Sequence, residues 1–210
     1  MAVMSMNMAI HAAVRRDLDR FIEALASFTD GDSRRAALLG RAWDNFDHQL
    51  TRHHEGEHQI AWPALQAVGV PRALLETFDG EHETMAAALT EARAAMARLR
   101  GSAAAADARG ARAAVESLRT VTTAHLDHEE AEMEPVYQAH KDNPEIKEMG
   151  RKFGRVSPVV GGQFFAWVLD GAGPDERAAI TESVPKPVLR IIGGIFGRGY
   201  RRDVAPAWRP

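Results

Sequence analysis

Apolar residues recur along the first two thirds of the chain at intervals of three and four, the period of one helical face. Between about Met8 and Phe28 they fall at Val14, Leu18, Phe21, Ile22, Leu25 and Phe28, and His11 lies on the same stripe. Thr29-Asp30-Gly31-Asp32-Ser33 reads as a turn in which Asp32 or Ser33 caps the next helix. The alternation then resumes as Trp43, Phe46, Leu50, His53, Glu57, Ile60 and Ala64, up to about Val68. Pro63 is expected to bend this second helix near its end, and Val70-Pro71 to break it. A third stripe, Leu75, Phe78, His82, Met85, Leu89, Met96 and Leu99, runs from Pro71 to about Arg100. Residues 101–106 form a small alanine-rich connection, with Asp107 as the expected cap of a fourth helix. That helix carries Val115, Leu118, Val121, His125, Glu129, Met133 and Val136 and ends near Asp142-Asn143-Pro144.

Four long amphipathic helices with short connections predict an all-α protein, an up-down-up-down four-helix bundle over residues 1–142. Beyond Pro144 glycine and proline become frequent. Shorter apolar pieces near 163–169, 175–183 and 187–196, followed by the basic Arg198-Gly199-Tyr200-Arg201-Arg202, predict a helical C-terminal extension over 143–210 packed on the bundle. In an up-down topology, antiparallel neighbours meet at equal distances from their shared turn. His11 lies about 18 residues before the first turn and His53 about 20 after it; Glu57 and His82 each lie about 11 from the second break. His82 lies about 19 before the third connection and His125 about 18 after Asp107. At about 1.5 Å of rise per residue these mismatches are a few Å, so all four helices deliver a histidine to one level of the core.

Composition narrows the chemistry available at that level. The 210 residues, 45% hydrophobic and 26% charged, fit one main globular unit. A formal charge of -3 without a basic-aromatic run gives no reason to expect nucleic acid as a partner. Cysteine is absent, which excludes disulfides, thiolate zinc sites, iron–sulfur clusters and cysteine nucleophiles and leaves His, Asp and Glu as strong metal ligands. Met1 to Ile10 lacks the basic start and long apolar core of a signal peptide. The apolar clusters at 164–169 and 191–196 fall far short of the roughly 20 residues of a membrane span. The expectation is a cytoplasmic protein with no membrane span.

Within the stripes, His53 with Glu57 and His125 with Glu129 stand four residues apart, one above the other on a helix. Each pair can present a nitrogen and an oxygen to one point. A single inward histidine is more often a hydrogen-bonded core residue than a ligand. Four on four helices at one height, two with a glutamate one turn on, are a different matter, because buried unpaired carboxylates are costly and a metal ion removes that cost. The set His11, His53, Glu57, His82, His125 and Glu129 suits iron, manganese or zinc. Two ions fit better than one, since six side chains exceed what tetrahedral zinc accepts and Glu57 and Glu129 can bridge a pair; a closed six-ligand site with one ion is the alternative. His54 and His58 form a second pair about 100° round the helix and read as flanking. His48, His128 and His140 read as solvated or supporting residues.

The pattern His11, His53-x-x-x-Glu57, His82, His125-x-x-x-Glu129 resembles the hemerythrin-like, or HHE cation-binding, domain. Trp62-Pro63-Ala64-Leu65 and Glu134-Pro135-Val136-Tyr137 resemble the endings of its second and fourth helices, and the likeness spans roughly residues 8 to 141. It implies a non-haem centre of two Fe ions, bridged by Glu57 and Glu129 and completed by an oxo or hydroxo bridge. Oxygen-carrying hemerythrins have another histidine one turn after the first on the third helix, where this chain has Ala86. They also place an aspartate five residues after the last histidine, where Glu130 stands. Position +5 lies about 140° from the histidine and +4 about 40°, so Glu129 is expected inward and Glu130 outward. A water, or a substitute such as His54, His58, Glu83 or Tyr137, is expected in place of the missing ligand.

An exchangeable position favours reaction over reversible oxygen storage. The leading expectation is a di-iron protein that binds and turns over dioxygen, hydrogen peroxide or nitric oxide, a possible peroxidase- or catalase-like or nitric-oxide-consuming activity. The oxidant would enter beside Ala86, in a dry pocket of Trp43, Phe46, Phe78, Met85 and Leu89. The four-His, two-Glu set also resembles the superfamily's iron-centre repair proteins, but their cysteine-bearing N-terminal segment has no counterpart here. Two other expectations stay open: a non-enzymatic iron-binding or oxygen-sensing module acting through residues 150–210, and helices held by structural zinc.

Overall fold

The computed structural model describes residues 4–209, and every regular element among them is helical. Four long stretches come first: α1 (Met6–Ala26), α2 (Ser33–Gly56), α4 (Arg72–Ser102) and α5 (Ala105–His140). Between α2 and α4 the chain passes through a π-helical turn, Glu57–Ala61, into the short α3 (Trp62–Ala67). Then follow α6 (Pro144–Phe153), α7 (Pro158–Val168), α8 (Pro174–Ser183), α9 (Lys186–Ile191) with a π turn over Ile192–Phe196, α10 (Arg198–Asp203) and a final 3-10 turn, Ala205–Trp208. Among the described residues no helix is long and apolar enough to cross a membrane.

Local chemistry explains where the long helices stop. Ser5 caps α1 by accepting from the Met8 N–H, and Asp32 caps α2 by accepting from the Arg35 N–H at 2.8 Å. The third connection is shorter than the sequence suggests. α4 runs on to Ser102 and α5 begins at Ala105, leaving only Ala103 and Ala104 between them. Alanine propagates helix better than any other residue, so the alanine-rich run conceals the stop. Ala103 makes the reversal in the left-handed region, φ 52°, and its carbonyl accepts from the Gly31 N–H at 2.8 Å. Asp107, expected as the cap, sits inside the first turn of α5. The cap comes instead from the first connection, where Asp30 accepts from the Ala105 N–H at 2.7 Å.

α4 packs along α5, α5 along α1, α2 along α4, and α1 against α2. Their inward faces form two apolar clusters. The larger contains Phe21, Phe46, Leu50, Met85, Leu118 and Leu126; the smaller contains Trp62, Leu65, Phe78, Met133 and Ile146. On α2, α4 and α5 the residues between the clusters are His53 to Glu57, His82 and Glu129, so a buried polar layer divides the core.

The later helices attach at two places. α6 lies against α3 and the first π turn, where a Cβ on Gly56 would stand 2.6 Å from the Phe153 ring; glycine is needed for that approach. The rest fastens to α1 and α2. Trp167 donates its indole N–H to the buried Asp17 at 2.8 Å, and Asp17 also accepts from Arg16 at 2.8 Å. Arg20 reaches both Asp17 (3.3 Å) and Asp170 (3.1 Å), and Asp170 accepts from the Tyr200 hydroxyl. Arg35 donates to the Ala207 carbonyl at 2.8 Å.

Asp17 is therefore the buried hub that ties α7 to α1. Asp17→Ala leaves the Trp167 N–H and the Arg16 guanidinium without their acceptor. It is expected to cost about 3 kcal/mol in a urea titration while the metal content of the folded protein stays unchanged.

Candidate metal centre

Two groups of side chains converge in the polar layer, each with ligand atoms within 4.8 Å of one another: His11, His53, Glu57 and Glu129, and His54, Glu57, His82 and His125. All six residues singled out from the sequence lie in these groups, and His54 is added. Glu57 belongs to both. Its Oε1 lies 3.0 Å from Nε2 of His53 and its Oε2 3.4 Å from Nε2 of His82, one oxygen to each group. Glu129 belongs to the first group alone. Its Oε2 lies 3.2 Å from Nε2 of His11, whereas its Oε1 accepts from the Asn7 amide at 3.1 Å. The expectation that both glutamates span the centre is thus corrected to one: Asn7, a turn before His11, turns the second carboxylate to one side.

The local backbone explains how His53, His54 and Glu57 all face inward. On a regular α-helix His54 would stand about 100° away from His53. The chain instead enters a π-helical turn at Glu57, where the Trp62 N–H bonds back five residues to the Glu57 carbonyl. Pro63 follows directly. Proline has no N–H to give the carbonyl four residues earlier, and its ring crowds that carbonyl, so the wider turn accommodates it. Pro63 was expected to bend the helix, and the physical outcome is an insertion in register beside the site. His54 stacks on His82 at 4.2 Å between ring centroids, and its Nε2 is buried with no hydrogen-bond partner.

Ala86, by contrast, is solvent-exposed on α4. The open position expected there is corrected, because His54 supplies the fourth donor from the opposite helix. His58 and Glu83 are exposed and Tyr137 is half-buried outside both groups.

The hydrogen bonds on the far side of two rings set which nitrogen points inward. His11 donates from Nδ1 to Glu130 at 2.9 Å, and His125 donates from Nδ1 to Glu81 at 2.8 Å. Their Nε2 atoms then carry lone pairs toward the centre, 3.0 Å from Nε2 of His53 and of His82. Glu130, expected to face outward, is corrected as well: it turns back along α5 because His11 and Arg15 of α1 both donate to it. His128, expected as solvated or supporting, donates to Glu81 at 2.8 Å, while His48 is exposed.

Both Glu57 oxygens and Oε2 of Glu129 are buried without a hydrogen bond, although imidazole nitrogens stand 3.0–3.4 Å away. Lone pairs facing one another at such distances are the arrangement a shared cation requires. The electrostatics agree. Burial opposes ionisation of Glu57, but His53 and His82 outweigh it and hold its carboxyl well below the usual range. Burial likewise opposes a charged His11, yet Glu129 and Glu130 lift it to about 9. Burial alone pushes His54 well below its ordinary value and lowers His125.

Of the residues expected to wall a dry pocket, Phe78 stands edge-on to His125 at 5.9 Å, and Met85 and Leu89 are buried. Trp43 and Phe46 lie two to three turns along α2 and pack on Phe21 instead. Trp62 takes their place, parallel to His82 at 6.1 Å.

An all-helical chain that gathers five imidazoles and two carboxylates at one buried level is a cation-binding protein in its chemistry. Residues 6–137 match the family model of the hemerythrin HHE cation binding domain, and the chain belongs to that family. No curated protein and no solved structure matches it.

Without metal, the three shifted histidines make stability depend on pH from both sides. His11 stabilises fully below its ordinary 6.5 and loses that contribution, on the order of 3 kcal/mol, as pH rises through about 9. His54 and His125, held neutral, stabilise above 6.5 and lose it as pH falls below. The melting temperature of the metal-free protein should peak near pH 6.5. Bound metal takes the place of the His11 proton, so the decline on the alkaline side should vanish in the loaded protein.

Proposed function

We propose that this chain holds two iron ions, one by His11, His53, Glu129 and Glu57, the other by His54, His82, His125 and Glu57, and that it turns over a small oxidant: dioxygen, hydrogen peroxide or nitric oxide. The observation that carries this reading is the Glu57 carboxylate, buried, without a hydrogen bond, and presenting one oxygen to each group. Five imidazoles and two carboxylates, with no thiolate, suit iron. The bundle over residues 1–142 with its extension over 143–210 is part of the same reading, supported by the short connections and by the neighbour relations of α1, α2, α4 and α5.

Bound there, iron supplies one-electron steps for a small oxidant. The chain's own contribution is position and enclosure. Four donors for each ion leave coordination places free on both, since iron accepts up to six. Openness on this reading is a property of the whole centre and does not depend on Ala86. Trp62 and Phe78 cover the His82 and His125 rings and limit water.

Anaerobic iron titration of the purified protein should end at two ions per chain, and at one for His54→Ala. The loaded protein should then consume peroxide or nitric oxide faster than free iron. Consumption no faster than free iron removes the catalytic part of the proposal, and zinc as the sole metal of protein purified without added metal removes the iron. One contact favours a second, sensing reading: α6 rests on the π turn that carries Glu57. Iron-dependent protection of residues 144–153 from hydrogen exchange, without turnover, would select it.

A further inference from the structure

Outside the two candidate ligand groups stand two carboxylates that nothing above requires as ligands. Glu81 accepts from Nδ1 of His125 and from Nδ1 of His128, each at 2.8 Å, one oxygen to each ring. Glu130 accepts from Nδ1 of His11 at 2.9 Å and from Arg15 at 2.6 Å, both on the same oxygen. Arg15 also donates to Asp127 at 2.6 Å, so it is fixed in place. His53, His54 and His82 have no such carboxylate behind them among the described residues.

We propose that Glu81 and Glu130 are the positioning residues of the centre, one for each metal place, and that they make the two places unequal. Each fixes the tautomer and the plane of one histidine, so that its Nε2 faces inward. They differ in what else they face. Glu130 shares one oxygen between His11 and the permanent charge of a guanidinium, which draws electron density away from the imidazole. Glu81 gives a whole oxygen to His125, and its other partner, His128, carries no permanent charge. A carboxylate behind an imidazole raises the basicity of the ring toward its metal. His125 is therefore the stronger donor, and the place it shares with His54 and His82 holds its metal more tightly and favours the more oxidised state. Phe78, in ring contact with both His125 (5.9 Å) and His128 (4.9 Å), keeps the Glu81 clamp in register from the apolar side.

This rests on the two-ion reading above, and the test separates the two. Full-length wild type, Glu81→Gln and Glu130→Gln are titrated anaerobically with ferrous iron by calorimetry, and the loaded proteins are compared by Mössbauer spectroscopy. Glutamine keeps an acceptor oxygen and removes the charge. Wild type should bind in two resolved steps. Glu81→Gln should weaken the tighter step by about 10–100-fold and alter one of the two iron signals, while Glu130→Gln acts on the weaker step and the other signal by a smaller factor. Unchanged melting of the metal-free variants shows that folding is not the cause; if Gln lowers it, His54→Ala/Glu81→Gln and His11→Ala/Glu130→Gln against their parents give the same comparison within one place. Fewer than two ions in wild type overturns the two-ion reading and this inference with it. Two ions in wild type with both steps and both signals unmoved by Glu81→Gln, or moved equally by both substitutions, overturns this inference alone.

Discussion

A carboxylate buried in the middle of a helical core must be balanced, and the placement of Glu57 shows how this chain does it. Taking an unpaired carboxylate out of water costs several kcal/mol, more than a protein of this size can leave unanswered at one residue. Five imidazoles surround the layer in which Glu57 and Glu129 lie, and without metal they supply the opposing charge themselves: His11 is held protonated to about 9 while Glu57 is held ionised. A proton on His11 and a cation between the groups thus solve the same electrostatic problem. Burial keeps His54 and His125 from taking that role, so the layer does not fill with charge of one sign.

The same constraint accounts for the irregular backbone beside it. Bringing His53, His54 and Glu57 to one side demands more than a regular helix allows, and the π turn at Glu57–Ala61 provides the extra residue. Its cause is written in the chain as Pro63, but a proline inside a helical pattern predicts a kink or a stop as readily as an inserted residue. The period-based reading therefore found His53 and Glu57, which lie on the stripe, and placed His54 to the side. The hemerythrin family's usual second histidine on the third helix, replaced here by Ala86, suggested a gap. The structure answers it from α2, across the core, and such a contact between helices leaves no mark in the spacing of either one.

Other parts of the site were legible for a plain reason, and others not. His11, His82 and His125 interrupt apolar stripes at matching heights, and counting residues from the turns was enough to bring them together. Glu130 was not legible, because its direction is decided by donors on α1: a position about 140° from His125 faces solvent on an isolated helix but faces His11 and Arg15 once α1 lies alongside. Asn7 falls in the mildly apolar start of the chain and carries no periodic signal, yet it decides that Glu129 faces one group only. Glu81 stands one residue before His82, and only the approach of α5 gives it His125 and His128.

The polar layer also divides the molecule into ends of unequal strength. On one side the large apolar cluster is backed by α7 to α10, fixed through Asp17, Trp167, Asp170 and Tyr200. On the other, a small cluster around Trp62, Leu65 and Phe78 is closed mainly by α6, whose Phe153 remains 42% exposed. Local opening follows the least apolar burial. The side of the layer that opens at lower cost is then the side where the π turn, His54 and the Glu81 clamp lie. A small molecule reaching the centre through such an opening meets His54, His82 and His125 before His11, so the order in which ligands meet the two groups is set by how the apolar core is apportioned, as well as by the donors themselves.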